Sequence, residues 1–393
     1  NKALSLKPDH AEIYNNIGIS LQEQGKLEDA IEAYNEALSL KPDYDIVRAQ
    51  KLHQQSNICA WDAIEKDRKL IPELGIYKEF IPPFYFLSLE DAPDRHRLRS
   101  ENYAVKKYSR QPLPNLPRPP QKPKRLRVGY FSSDFREHPI TYLITKMLSL
   151  HNRERFEIFA YSFGGATADP WQQKVIDSVD EFKDVKEMSD LEIALLARQN
   201  KIDIAIDLNG YTRNSRTGIF AFRAAPIQVS YLGIAMTMGA DFFDYLIADR
   251  VSIPSEMATH YSESIIYLPN CYQVNDNSNE IATISMSRSE AGLPERGFVF
   301  CCFNQNYKIT PNVFDIWMRV LHKVDESVLW LAKSNKWSEQ NLRKEASKRG
   351  IAEDRLIFAD ILPIQQHISR HTLADLFLDT FNSNAGATGS AAL

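Results

Sequence analysis

The chain has 393 residues, which at about 150 residues per domain predicts two or three domains. Hydrophobic residues make up 44% and charged residues 25%, so the composition is that of a globular protein and excludes a disordered or collagen-like chain. A formal net charge of −4 gives no electrostatic reason to expect nucleic-acid binding. Long apolar runs and a signal peptide are not evident, and the four cysteines lack paired spacing. We therefore expect no membrane span and a cytoplasmic location.

The chain begins with a helical repeat. The segment NKALSLKPD at residues 1–9 returns as NEALSLKPD at residues 35–43. Between the two, Gly18 and Tyr34 stand where a tetratricopeptide (TPR) repeat packs a small residue of one helix against a large residue of the next. We predict a TPR segment at residues 1–44 that belongs to a longer array, because stacked repeats need about three units for stability.

A connecting region follows the repeat. Helical patterns continue over residues 45–110, which we interpret as a cap or connector. Six prolines from Pro112 to Pro123 then predict an extended, semi-rigid linker at residues 111–125. This linker is the main predicted domain boundary.

After the linker, strand-like apolar runs alternate with helical segments, which predicts α/β folding around parallel, doubly wound sheets. A polar stretch at residues 275–285 separates two such series, so we predict Rossmann-like lobes at residues 126–275 and 286–393. The predicted strands include residues 126–132, 156–163, 202–210, 297–304, 327–332, 355–359 and 374–380. Ligands of such sheets bind beyond the carboxyl ends of the strands. Neither a Walker phosphate loop nor a GxGxxG motif is present, which argues against a nucleotide hydrolase or a dehydrogenase.

The loops after these strands carry the candidate functional residues. His138 stands just before a predicted helix and can accept a proton near neutral pH. Lys308 lies between a strand and a helix N-terminus, a setting that suits a phosphate, and His367 has a ring that could stack on a base. Thr237 and Gly239 lie in a loop whose glycines would let the backbone approach a ligand. Taken singly, each of these residues is equally compatible with an ordinary loop or helix surface.

Several motifs together resemble the Spindly-type protein O-GlcNAc transferases. They are LRVGYFSSDFREHP, DLNGYT, APIQVSYLG, FNQNYKITP and HISRHTLADLFLDT, in the order of that family and after a TPR repeat. The resemblance implies two lobes of the glycosyltransferase B type and inverting transfer of GlcNAc from UDP-GlcNAc to Ser or Thr hydroxyls of proteins. It also implies that the C-terminal lobe holds the donor, that no metal is essential, and that the TPR groove binds the acceptor protein.

The same resemblance assigns roles to individual residues. His138 matches the active-site histidine, described either as the general base or as a group near the donor phosphates. Lys308 matches the lysine at the diphosphate, and Gln305 matches an amide that contacts the nucleotide. His367 matches a histidine that stacks on uracil, and Thr388 matches one of two threonines at the phosphates.

The chain also departs from the family pattern. Ala235 and Met236 replace a Pro-Gly pair, Gly386 and Ala387 replace polar residues before Thr388, and Ala391 replaces an expected ribose-binding aspartate. From these changes and the end of the sequence we expect an incomplete C-terminal lobe and weak or absent activity of the chain as written. Two alternatives stay open: a related transferase that uses GDP-fucose, and a TPR adaptor whose transferase domain is degenerate.

Overall fold

The computed structural model describes residues 10–109, 112–114, 123–165, 168–234, 236–278 and 286–393. The first nine residues, most of the proline-rich linker, Ala235 and most of the 275–285 stretch lie outside the described residues, so the predictions made for them are not addressed. The chain divides into two compact units. Unit 1 spans Asn1–Ile81, Tyr85–Asp91 and Glu280–Leu393, and unit 2 spans Pro82–Phe84 and Ala92–Asn279.

Unit 1 begins with the two helices of the repeat, and two further helices follow them. They are α1 (Ala11–Glu23), α2 (Leu27–Leu40), α3 (Asp45–Asn57) and α4 (Trp61–Asp67). The close approach predicted for the repeat is confirmed, because a Cβ added at Gly18 would lie 2.4 Å from the Tyr34 ring. Gly25 turns the chain between α1 and α2 with a φ of +73°, a conformation that favours glycine. Tyr34 is fully buried between the helices.

Unit 2 is a doubly wound α/β sheet, as the alternating pattern predicted. Its strands are β1 (Leu126–Ser132), β2 (Phe156–Ser162), β3 (Glu181–Asp184), β4 (Ile204–Asp207), β5 (Ile227–Ser230), β6 (Tyr245–Ala248) and β7 (Ser264–Tyr267). They run in the order β3-β2-β1-β4-β5-β6-β7, and every pair is parallel. Its helices are α5 (Pro93–Lys107), α6 (Pro139–Leu150), α7 (Pro170–Asp177), α8 (Asp190–Gln199) and α9 (Gly218–Ala221).

Side chains that alternate along the strands of unit 2 pack into two separate hydrophobic cores, one on each face of the sheet. Val128 and Ile158 pack with Ile144 of α6 on one face. Phe131 and Tyr161 stack at 4.4 Å on the other face, in the core that α8 and α9 complete. Because both faces of β1 and β2 are covered, these strands read as continuous apolar runs in the sequence.

The second part of unit 1 is a smaller parallel sheet. Its strands are β8 (Val299–Cys302), β9 (Val328–Ala332), β10 (Leu356–Ala359) and β11 (Leu376–Phe377), in the order β10-β9-β8-β11. Its helices are α10 (Pro311–Lys323), α11 (Lys336–Lys348), α12 (Ile364–Arg370) and α13 (Ala387–Ala392). The prediction of two parallel α/β lobes is therefore confirmed.

One hydrophobic core joins the helical segment to this sheet within unit 1. Trp61 and Ile64 of α4 pack with Phe314 of α10 and with Phe300 and Leu329 of the strands. Helices α3 and α4 thus belong to the same folded body as β8–β11, whereas α5 belongs to unit 2. Across the described part of the chain, no helix combines the length and the apolar character needed to cross a membrane.

Candidate active site

The carboxyl end of β8 carries Lys308. The chain leaves the strand through Asn304 and Gln305 and forms a short 3-10 helix, Asn306–Lys308, before α10 begins. The Lys308 Nζ donates a hydrogen bond to the Asn384 carbonyl at 2.8 Å. Burial lowers the pKa of Lys308, while the nearby Asp379 carboxylate raises it in part. A partly buried ammonium at a strand end is suited to binding an anion.

Asp379 organises the loop that faces this lysine. Its Oδ1 accepts hydrogen bonds from the backbone N–H groups of Thr380 and Ala385, both at 2.7 Å. The Asn384 amide donates to Oδ2 at 3.1 Å. This loop follows β11, which is the neighbour of β8 in the sheet. Asp379 thereby places the Asn384 carbonyl where Lys308 contacts it.

Asn304 links the two loops. Its side-chain Nδ2 donates to Asp379 at 3.2 Å and to the Thr380 hydroxyl at 2.9 Å, and its Oδ1 accepts from the Thr388 hydroxyl. Asn304 is buried; its bond to Thr380 is buried as well, and its bonds to Asp379 and Thr388 are partly buried. The structure therefore brings Thr388 and Lys308 into one polar cluster.

His367 lies beside the same strand end. Its ring meets the Phe303 ring edge to face, with 5.4 Å between centroids, and Phe303 directly precedes Asn304. Burial, with smaller contributions from Arg370 and His371, lowers the pKa of His367 to about 3. Gln305, the fourth residue predicted for this site, is exposed beside them. All four residues predicted for this lobe thus gather around β8.

The helical segment supports the Lys308 loop from within unit 1. The indole N–H of Trp61 donates to the Ile309 carbonyl at 3.2 Å, and the Cys59 thiol lies 3.7 Å from the Asn306 carbonyl. The His53 ring lies 5.5 Å from the Tyr307 ring. The residues on either side of Lys308 are therefore contacted by α3, by α4 and by the turn between them.

In unit 2, His138 caps the N-terminus of α6. Its Nδ1 lies 3.3 Å from the Ile140 backbone nitrogen, which donates to it, and 3.9 Å from the Asp134 carboxylate. Pro139 occupies the first turn of the helix, as predicted. Burial lowers the pKa of His138, and Asp134 opposes that effect. At neutral pH the lowered pKa favours the uncharged ring. The side chain is 34% exposed.

The DLNGYT motif builds the support behind His138. The Asn209 amide donates to Asp134 at 2.9 Å and to the Ser133 hydroxyl at 2.8 Å, and its Oδ1 accepts from the Ser133 backbone. Asp207 accepts from the backbone of Asn209 and Gly210. Complete burial raises the pKa of Asp207 to about 7. The carboxyl ends of β1 and β4 are thus joined through buried polar bonds.

The other two predicted residues of unit 2 make contacts inside the unit. The Thr237 hydroxyl donates to the buried Glu263 carboxylate at 2.7 Å. Gly239 has a φ of +59° and lies against the backbone of α5, where an added Cβ would sit 2.3 Å from the Glu101 nitrogen. Both residues anchor the loop after β5, and their role in nucleotide-sugar binding stays a prediction.

Sequence reasoning named the loops but missed several of their working residues. Asn304, Asp379 and Asn384 carry most of the hydrogen bonds of the cluster around Lys308. Asp134, which lies 3.9 Å from His138, was missed as well. The available signal was position, because Asp134, Asn304 and Asp379 each stand two residues after the end of a strand, and Asn384 lies in the loop that Asp379 begins.

Comparisons with known proteins agree with this geometry. A profile described as Tetratricopeptide repeat matches residues 11–44. The probable UDP-N-acetylglucosamine–peptide N-acetylglucosaminyltransferase SEC of Arabidopsis thaliana is 41% identical over 272 residues, which cover 68% of this chain and 28% of that protein. The probable transferase SPINDLY of the same plant is 30% identical over 67% of this chain and 29% of its own length. The chain thus spans under a third of the length of these relatives.

The structural comparison gives the same answer. A mutant O-GlcNAc transferase of Thermobaculum terrenum superimposes with a TM-score of 0.76 and 25% identity, over 99% of this chain and 68% of that one. A profile described as Glycosyl transferase family 41 matches residues 104–285 and 279–393, which is most of the chain. The chain belongs to glycosyl transferase family 41.

Proposed function

We propose that this chain belongs to a protein O-GlcNAc transferase, which moves GlcNAc from UDP-GlcNAc to Ser or Thr hydroxyls with inversion. One observation carries the proposal. At the carboxyl end of β8 the structure groups a partly buried lysine, a threonine hydroxyl and a histidine ring. A cation for the phosphates, a polar hydroxyl group beside it and an aromatic ring for the base suit a nucleoside diphosphate.

In this proposal, Lys308 stabilises the departing diphosphate. An ammonium has three N–H donors, and the Asn384 carbonyl accepts one of them. We assign the remaining donors to phosphate oxygens, whose negative charge grows as the bond to the sugar breaks. Lys308 thereby supplies positive charge without a metal ion. Activity that survives EDTA would support this part of the proposal, and inhibition reversed by Mn²⁺ would oppose it.

His138 is the proposed general base, and this role depends on which ring nitrogen carries the proton. A ring whose Nδ1 accepts from Ile140 carries its proton on Nε2 and cannot accept another there. Base catalysis through Nε2 therefore requires the proton on Nδ1, and the Asp134 carboxylate, now 3.9 Å from Nδ1, would have to move closer to accept a hydrogen bond from it. Asp134 is in turn oriented by Asn209.

The repeat helices are the proposed acceptor-binding part. Helices α1 and α2 match a repeat whose stacked copies form extended concave surfaces. Helices α3 and α4 continue from them into the core beneath β8. An acceptor protein held by the array would consequently be held by the same folded body that contains Lys308.

A binding scan with three nucleotide sugars tests the proposal. Calorimetric titration of UDP-GlcNAc, GDP-fucose and UDP-glucose into the chain is expected to show a preference for UDP-GlcNAc. Gly386 and Ala387 offer no side-chain donors to phosphate, so we expect weak affinity. A preference for GDP-fucose would favour the related transferase, and absence of binding to all three would favour the adaptor.

A further inference from the structure

One nitrogen of the His367 ring is already engaged inside the protein. The Arg370 guanidinium lies 2.6 Å from His367 Nδ1. A guanidinium only donates hydrogen bonds, so Nδ1 must be the unprotonated, accepting nitrogen. We propose that Arg370 is a positioning residue that holds His367 as the neutral ring with its proton on Nε2. That this tautomer helps to bind the donor rests on the proposed function. The assignment of the tautomer itself does not.

Arg370 is itself fixed in place by the fold. It is buried, and it donates to the Asp360 carbonyl in the loop after β10. Its guanidinium lies 4.4 Å from the centre of the Phe303 ring and 5.8 Å from that of Trp330. Two aromatic faces and a backbone carbonyl therefore restrain the group that contacts His367.

His371 restrains the ring from a second side. Its Nδ1 lies 2.8 Å from the His367 carbonyl, which can only accept, so this nitrogen carries a proton. The two imidazole rings meet edge to face at 4.9 Å and 82°. With Phe303 also against it, His367 is held by three neighbours in one orientation.

The surrounding charges favour the neutral ring. The groups that face this site are Arg370 and His371 on its own segment, Cys301 on β8, and Asp360, which pairs with Lys333. Burial lowers the pKa of His367, and together with Arg370 and His371 brings it to about 3. His367 therefore keeps one charge state from neutral pH to well below pH 5, and it presents an uncharged face with a single N–H donor.

Nitrogen NMR on the full chain with ¹⁵N-labelled histidine tests the ring directly, with His367→Gln to assign the signal. We expect an unprotonated Nδ1 and a protonated Nε2 that do not change between pH 7.5 and 5.0. In Arg370→Met, we expect both tautomers and a rise in the pKa of His367, which stays below its ordinary value because burial, the largest cause of the lowering, remains. Arg370→Lys keeps a donor and is expected to restore the Nε2–H form. Arg343→Met is the matched control, because Arg343 stacks 5.0 Å from Phe358 in the same unit.

A functional readout accompanies the spectra. UDP-GlcNAc has no phosphate that titrates in this range, so its affinity for the native chain should change less than about twofold between pH 7.5 and 5.5. Arg370→Met should lower the affinity about tenfold at pH 7.5, because the ring then populates both tautomers, and should make the affinity depend more on pH, because the pKa of His367 rises.

The outcomes separate the two proposals. A protonated Nδ1 in the native chain, or an unchanged ring in Arg370→Met, would overturn the role of Arg370. The native spectrum alone can do so, even if Arg370→Met does not fold. The expected tautomer without any binding of UDP-GlcNAc would support Arg370 as the positioning residue and count against the proposed function.

Discussion

Replacing Asp379 with alanine removes the carboxylate that accepts hydrogen bonds from the loop facing Lys308. The backbone N–H groups of Thr380 and Ala385 each donate to it at 2.7 Å, and the amides of Asn304 and Asn384 donate at 3.2 and 3.1 Å. A hydrogen bond to a charged group contributes about 1.5–3 kcal/mol. We count only the two short backbone bonds, because water can replace the longer ones, and expect a loss of about 3 kcal/mol. For a unit of about 200 residues that corresponds to a fall of about 6–12 °C in the melting temperature of unit 1.

The assay is thermal unfolding of the full chain, with UDP titration on the same samples. Asp379→Asn keeps an oxygen for the backbone donors and removes the charge, so we expect a smaller loss of stability and a further fall in the pKa of Lys308, which Asp379 now raises. Asp360→Ala is the control, because the Lys333–Asp360 pair is exposed and surface ion pairs contribute little to stability. Unchanged unfolding of Asp379→Ala would refute the view that this carboxylate holds the loop.

Three further predictions concern the other residues. Lys308→Met should lower turnover by about 10²–10³-fold while acceptor affinity is kept, and steady-state kinetics with a peptide acceptor would contradict the assignment if only the acceptor KM changed. His138→Ala should lower turnover by about 10²-fold with the fold intact, and a near-normal rate would remove His138 from the reaction. Asp207→Asn should flatten the pH dependence of stability. With a folded pKa of about 7 against an ordinary 3.8, native Asp207 holds a proton that the unfolded chain has lost, so stability falls as the pH rises through this window, by at most about 1.4 kcal/mol per pH unit. Urea unfolding of both forms between pH 5 and 7 measures this difference, and parallel curves would contradict it.

The regular elements could be predicted because their causes are local. Strand β1 was predicted at residues 126–132 and is Leu126–Ser132 in the structure, since a buried parallel strand reads as a continuous apolar run. The strand predicted at residues 374–380 contracts to Leu376–Phe377. After β11 the chain turns at Asp379, whose carboxylate accepts hydrogen bonds from the loop. These bonds form in place of the strand-to-strand hydrogen bonds of a longer β11. Edge strand β3 (Glu181–Asp184) was missed because its side chains are polar and partly exposed.

The site could be located from the sequence, but its internal bonds could not be derived. Lys308 and His367 were identified by their positions after strands and by the resemblance. The contacts that define their chemistry join residues far apart in the chain, such as Lys308 with Asn384 and Trp61 with Ile309. The same holds for the segment at residues 45–110, which was interpreted as one connector, whereas α3 and α4 share a core with β8 and β9 and α5 packs in unit 2. No local pattern specifies such pairings.

Intact-mass analysis of a serine- and threonine-containing peptide, incubated for long times with the chain and UDP-GlcNAc, tests the central claim most directly. Our account predicts slow addition of one N-acetylhexosamine at a time, absent with Lys308→Met and absent when GDP-fucose replaces the donor. Transfer that is equal in Lys308→Met, or transfer from GDP-fucose alone, would contradict the assignment of β8 and its loop as the binding site for UDP-GlcNAc.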